Sequence, residues 1–198
     1  MVPIPPQEIP RWLLDEVAEY FVPLPFRPRT ILDIGANIGA FAKVAHQVWP
    51  EARITCCEPM PFNVCHLRRN VPHGTELISA AIRGHSGVDE ILVGDNLATG
   101  GFFNIGRQTE RRILVECLAA SELPSCELVK IDTEGCEVEI LRSLPLHDTK
   151  AIFLEYHSRA DAVAIREMLE RDFACSTATR DAPSPPAEIG TFAFLRRS

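Results

Sequence analysis

No stretch of about 18 uncharged apolar residues occurs in the chain, which removes a membrane-spanning helix of ordinary length from the sequence reading. Residues Met1 to Pro10 carry neither the basic end nor the apolar stretch of a secretory signal, so a cytoplasmic protein with no membrane partner is expected. No C-x-x-C pair occurs among Cys56, Cys57, Cys65, Cys117, Cys126, Cys136 and Cys175. Their number is odd and most lie in apolar segments, so reduced, buried thiols are expected, and a zinc site on Cys56, Cys57, Cys65 and His66 is not. The sequence also lacks a G-x-G-x-x-G turn and a Gly-Lys-Ser or Gly-Lys-Thr loop, the strongest marks of nicotinamide cofactors and nucleoside triphosphates. Basic charge is short as well: 20 Lys and Arg against 27 Asp and Glu leave −7. A general nucleic-acid binder needs a basic surface, so nucleic acid is not the expected partner. One cluster, Arg107, Arg111 and Arg112, runs against that balance and reads as a solvated turn, or as a contact for a phosphate or carboxylate.

What is present suits one globular domain: 198 residues, 46% hydrophobic and 24% charged. Residues 1–29 form a lead-in, with Ile9, Trp12, Leu13, Val17 and Phe21 at roughly helical spacing and a proline-rich stop at Pro23 to Pro28. This predicts a helix acting as a lid or brace. From residue 30 to 198 short apolar runs alternate with helical patterns. Strands are expected at Thr30–Ile34, Arg53–Cys57, Glu76–Ile82, Leu128–Asp132 and Ala151–Tyr156. Helices are expected at Ile38–Val48, Pro61–Asn70, Val138–Leu144 and Ala160–Arg171. That order predicts an α/β, doubly wound, Rossmann-like sheet of seven mostly parallel strands. Its last two strands, near Phe173–Thr177 and Thr191–Leu195, form an antiparallel hairpin. Residues 84–118 break the alternation and read as an insertion. Strands Val88–Val93 and Ile113–Leu118 flank a glycine-containing loop, Gly94 to Gly106, expected to be mobile over a cleft, with Asn96, Thr99 and Asn104 meeting the substrate.

In an open parallel sheet the ligand crevice lies beyond the carboxyl ends of the strands, and those positions are polar here. Asp33 precedes the turn Gly35-Ala36-Asn37-Ile38-Gly39, whose glycines let backbone N–H groups approach a ligand. An acid at that point favours a cationic ligand over a pyrophosphate. Glu58-Pro59 ends the second strand, where a carboxylate can accept both hydroxyls of a ribose. Asp132-Thr133-Glu134-Gly135 follows the fourth strand, and Glu155-Tyr156-His157 ends the fifth. Each acid alone can be a cap or a surface group. Together, at one switch point, they point to binding of S-adenosylmethionine and transfer of its methyl group.

These residues resemble the FkbM-type family of S-adenosylmethionine-dependent methyltransferases. The likeness is carried by Ile31 to Gly39, Glu58-Pro59 with Asn70, Val129 to Gly135 with Glu137, and Leu154 to His157; the lead-in is short beside longer relatives. The resemblance implies an O-methyltransferase acting on a sugar, polyketide or other small hydroxylated metabolite. Expected cofactor contacts are Asp33, Gly35, Asn37, Gly39, Glu58, Pro59, Ala81 and Asp132. A hydroxyl acceptor must lose its proton, so Asp132, Glu155 and His157 are the catalytic candidates, with Glu134 beside them. A neutral His157 is the preferred base. A divalent metal on the carboxylates is the less favoured alternative. Methylation of a nitrogen or of a macromolecule through the arginine cluster, and a non-catalytic cofactor-binding module, are the competing readings.

Overall fold

The computed structural model describes residues 8–94, 100–101, 108–179 and 189–197. In chain order its elements are α1 (Arg11–Ala18), β1 (Thr30–Ile34), α2 (Ala40–Val48), β2 (Arg53–Cys57), α3 (Pro61–Asn70), β3 (Glu76–Ile78) and β4 (Ala81–Arg83). Next come β5 (Gly87–Gly94), β6 (Gly100–Gly101), β7 (Gln108–Ala119), β8 (Leu128–Ile131) and α4 (Glu137–Leu141). The chain closes with β9 (Ala151–Tyr156), α5 (Arg159–Leu169), β10 (Phe173–Thr179) and β11 (Gly190–Arg196).

Seven strands form the main sheet in the order β10-β11-β9-β8-β1-β2-β3. The pairs from β9 to β3 are parallel, and β11 lies antiparallel between β9 and β10. The chain moves outward from β1 to β2 and β3, then returns to β8 on the other side of β1. That reversal opens a crevice above the carboxyl ends of β1 and β8.

The central strands are apolar on both faces, as strands covered by helices on both sides must be. Side chains alternate between two cores. Ile31, Leu128 and Phe153 face one with Phe41 and Trp49; Leu32, Ile34, Val129, Ile131, Ile152 and Leu154 face the other with Ile140 and Ile165. Phe21, just beyond α1, stacks on Phe41 at 5.1 Å and on Trp49 at 5.5 Å, pinning the lead-in to α2. α5 starts where the Ser158 hydroxyl accepts from the Asp161 N–H, satisfying an amide that no helical carbonyl reaches.

Two expectations change. The single strand expected over Glu76–Ile82 is two: β3 stays in the main sheet, while β4 leaves it to pair in parallel with β7. Period-2 hydrophobicity reports a strand but not its sheet. The insertion is more than a hairpin, because β4, β7, β5 and β6 form a four-stranded sheet. This small sheet has its own apolar cluster of Met60, Ala81, Ile91, Val93, Val115 and Cys117. Of the loop expected between Gly94 and Gly106, residues 95–99 and 102–106, including Asn96, Thr99 and Asn104, lie outside the described residues. All seven cysteines are free, five of them buried, and no helix among the described residues is long and apolar enough to cross a membrane.

Candidate active site

Asp33 and Lys130 are opposed across the β1–β8 pair, and strand alternation turns both towards the core beneath α2. An ammonium there needs partners, since an unpaired buried charge is costly. Lys130, 3% exposed, has three. Its Nζ donates to the Gly35 carbonyl at 2.7 Å and lies 3.3 Å from Asp33 Oδ1 and 3.5 Å from Asp132 Oδ2. Burial works against its charge, but Asp33, Asp132 and Glu155 outweigh that and hold it well above the ordinary lysine range. Lys130 therefore ties the two loops at the switch point together. They touch: a Cβ on Gly35 (φ +78°) would stand 1.7 Å from the Asp132 carbonyl oxygen, so only glycine fits.

The loop after β1 is held from β2 and α3. Gly35 and Ala36 N–H donate to the Cys57 carbonyl, and Asn37 N–H donates to Glu58 Oε2 at 2.9 Å. Asn37 has φ +52°, a conformation asparagine tolerates better than most residues. Glu58 Oε1 accepts from Met60 N–H and Asn63 Nδ2, and Asn70 Nδ2 donates to the Ile38 carbonyl at 2.8 Å. A carboxylate offers about four acceptor positions. Three on Glu58 are filled from within the protein, so one position remains, on Oε2, where the sequence suggests two ribose contacts.

The loop after β8 is organised by Glu137, which is fully buried. Its carboxylate accepts from Thr133 N–H at 2.8 Å, Thr133 Oγ1 at 3.0 Å and Gly135 N–H at 3.1 Å. It also faces His157 Nδ1 at 3.3 Å, while Glu134 Oε2 faces His157 Nε2 at 3.4 Å. Burial opposes charge on the imidazole, but the hydrogen bond and charge of Glu137, with Asp132 and Glu155 behind, raise it to about 10. Both nitrogens of His157 thus face carboxylates, an environment that favours the imidazolium over the neutral base expected from the sequence.

Asp132 and Glu155 make a carboxyl pair with unequal partners. Burial pushes Asp132 up, but Lys130 and His157 outweigh it and hold it below the ordinary carboxylate value. Burial and then the charge of Asp132 push Glu155 up to about 9. The two carboxyls titrate as a pair, with Lys130 and His157 favouring the ionised form of Asp132 and burial beside it favouring the protonated form of Glu155. Tyr20, from the turn after α1, donates to Asp132 Oδ2 at 3.2 Å.

A cleft of about 410 Å³ lies above these groups, within the size range of small-molecule sites. Of the residues singled out from sequence, Gly35, Asn37, Glu58, Pro59, Ala81, Asp132, Glu134 and Glu155 line it. Asp33, Gly39 and His157 do not. Asp33 is sealed against Lys130 below, and Gly39 (φ +94°) starts α2 against Leu67 and Val71. His157 lies behind Glu134. The unpredicted contributors are Lys130 and the α1 residues Trp12, Leu13, Glu16 and Val17, with Tyr20 beneath. Their one signal in the sequence is the spacing of Trp12, Glu16 and Tyr20, four residues apart on one helical face. Of the arginine cluster, Arg112 stands 3.6 Å from Glu90 on the exposed side of the small sheet, and Arg107 lies outside the described residues.

This strand order, with its crevice at the β1–β8 reversal, defines the class of Rossmann-like methyltransferases that use S-adenosylmethionine. Solved structures of the same fold include precorrin-6y C5,15-methyltransferase from Geobacter metallireducens GS-15, at 16% identity and TM-score 0.50, covering 94% of this chain and 89% of that one. Another is TrmK of M. capricolum in complex with its cofactor product S-adenosylhomocysteine, at 10% identity and TM-score 0.55, covering 96% and 70%. The profile described as the methyltransferase FkbM domain matches residues 33–175, and the chain belongs to that family. A relative, the hexuronic acid methyltransferase AglP of Haloferax volcanii, is 25% identical over 171 residues, 82% of this chain and 67% of that protein. The protein is an S-adenosylmethionine-dependent methyltransferase.

Proposed function

We propose that the enzyme methylates a hydroxyl oxygen of a small metabolite, with sugars the first class to consider. The observation that carries this is the Asp132–Glu155 pair: two carboxyls on the wall of the cleft, of which Asp132 faces the Lys130 ammonium at 3.5 Å and accepts from the Tyr20 hydroxyl. A hydroxyl must give up its proton as its oxygen forms the new bond, and an ionised carboxylate in the cleft is placed to take it. The low proton affinity of Asp132 is no obstacle, because an alcohol oxygen becomes strongly acidic once it begins to carry the positive charge of a third bond. Lys130 and Tyr20 hold the Asp132 carboxylate in one orientation.

When bound, S-adenosylmethionine supplies an electrophilic methyl group. The donor set fits it: an acid-rich cleft for a sulfonium cation, Glu58 with one open acceptor position for a ribose hydroxyl, and Ala81, Ile82 and Met60 as apolar surface for the adenine. Gly35 and Asn37 would border the amino acid portion, with Asp33 and Gly39 supporting them from beneath.

What supports a metal-free reaction is the state of the nearest donors. Ligand atoms of Asp132, Glu155 and His157 lie within 4.8 Å of one another. The buried Lys130 ammonium already neutralises Asp132, and His157 is engaged by Glu137 and Glu134. The reading is tested by incubating the protein with labelled S-adenosylmethionine and a panel of sugars, polyols and phenols, with unfractionated tRNA as a separate arm. Label on a hydroxyl of a small product, retained in the presence of EDTA and lost in Asp132→Asn, supports it. Label on tRNA alone, or activity that needs added magnesium, refutes it.

A further inference from the structure

Among the described residues the most exposed aromatic side chain lies at the cleft of the candidate active site. Trp12 is 62% exposed, yet it lines the cleft from α1, with Glu16 one turn further on and Tyr20 one turn beyond that at Asp132. The other tryptophan, Trp49, is buried and stacked on Phe21. Trp12 makes no such internal stack among the described residues, and an indole held at a cleft mouth offers a flat apolar face with one N–H donor.

Such a face matches a saturated hydroxylated ring, whose C–H bonds make an apolar surface and whose hydroxyls project from the rim. The charge of the cleft narrows the class. Its charged lining among the described residues is Glu16, Glu58, Asp132, Glu134 and Glu155 against Lys130 alone. With Glu155 protonated, the carboxylates still outnumber the one ammonium, which is itself spent on Asp33 and Asp132. A carboxylate on the acceptor would meet like charge in a partly desolvated space, whereas hydroxyls find acceptors.

Building on the methyltransferase reading above, we infer that the α1 face of Trp12 and Glu16 is the acceptor subsite, and that it takes an uncharged hydroxylated ring such as a neutral pyranoside. The indole covers the C–H face of the ring, Glu16 accepts from its rim hydroxyls, and the reacting hydroxyl points inward to Asp132. This separates the chain's acceptor from the acid for which its Haloferax volcanii relative is named.

The test uses the protein saturated with S-adenosylhomocysteine and titrated with methyl glucoside, methyl galactoside and the matching uronic acids, followed through the two indole N–H resonances. Loss of one resonance in Trp12→Phe assigns it. The expected result is a shift of the Trp12 signal with a neutral glycoside, at least tenfold weaker response to the uronic acid, and a silent Trp49. In turnover, Trp12→Ala and Glu16→Gln should raise the acceptor KM about tenfold or more, with Trp12→Phe recovering most of the loss and S-adenosylhomocysteine affinity unchanged in all three. A Trp12 signal unmoved by every glycoside overturns the subsite, as does a uronic acid that binds as well as its neutral counterpart. A glycoside that moves Trp12 but receives no methyl group keeps the subsite and refutes the methylation reading instead.

Discussion

The Tyr20 hydroxyl donates to Asp132 Oδ2 at 3.2 Å, joining residues 112 positions apart. Burial, then the charges of Asp132 and Glu155, push the phenol well above its ordinary value, so it remains a donor across the working pH range. In Tyr20→Phe the edge-on contact with Phe41 at 6.2 Å survives while Asp132 loses a donor. The expected cost is about 1 kcal/mol of stability, read from denaturant midpoints, and a severalfold fall in kcat at constant cofactor affinity. An unchanged kcat would show that Asp132 needs no such support.

His157 should act on stability rather than as a base. Its folded pKa of about 10 lies above the ordinary 6.5, so its contribution is fully present below about pH 6.5 and fades as pH rises towards 10. His157→Gln leaves the buried Glu137 charge without its partner, a loss on the order of 3–5 kcal/mol at pH 6. Unfolding midpoints of the two proteins should converge between pH 7 and 10. A constant gap across that window would mean that the imidazole is neutral in the folded state.

Glu155 has the same sign with a different window. Its carboxyl is raised from 4.5 to about 9, so the proton it holds favours folding fully below about pH 4.5, and that contribution is lost as pH climbs to 9. Glu155→Gln should therefore gain stability relative to the parent with rising pH, and at pH 8 it should be the more stable protein. The same variant should turn over more slowly, the usual trade between stability and a strained site. Paired thermal melts and initial rates from pH 5 to 9 check both halves.

Two glycines at similar φ give a controlled comparison. Gly35 (φ +78°) has the Asp132 carbonyl where a Cβ would go, whereas Gly74 (φ +93°) has nothing within 4 Å. Gly74→Ala should cost only the left-handed strain, about 1 kcal/mol. Gly35→Ala must also push apart the loops that Lys130 ties together, so a loss above 3 kcal/mol and no detectable S-adenosylhomocysteine binding by calorimetry are expected. Equal effects of the two substitutions would remove the close approach from the account.

The sheet was legible because its strands announce themselves. Ile31-Leu32 and Val129-Lys130-Ile131 are short, flanked by polar turns, and followed by helical patterns at the expected distance. The floor of the cleft was legible for the same reason, since Gly35, Asn37, Glu58 and Asp132 all fall just past strand ends. The pairing of charges was not. Whether Asp33 meets a ligand or Lys130 depends on the β1–β8 register, and whether His157 is neutral depends on Glu137, twenty positions earlier on a different element. Tyr20 and Trp12 were hidden because their role comes from where α1 docks, which the aromatic contacts of Phe21 decide.

The small sheet has an apolar cluster of its own, joined to one core of the main sheet through Ile82 and Leu118, and Ala81, Ile82 and Ile91 line the cleft. The protein thus has one wall that can be exchanged without recasting its foundation. Substituting Ala81 on β4 and Ile91 on β5 would reshape that wall of the cleft while leaving Lys130, Glu58 and Glu137 in their present bonds. For a chemist wishing to redirect methylation towards a chosen alcohol, those two strands are the handle by which the scaffold can be turned.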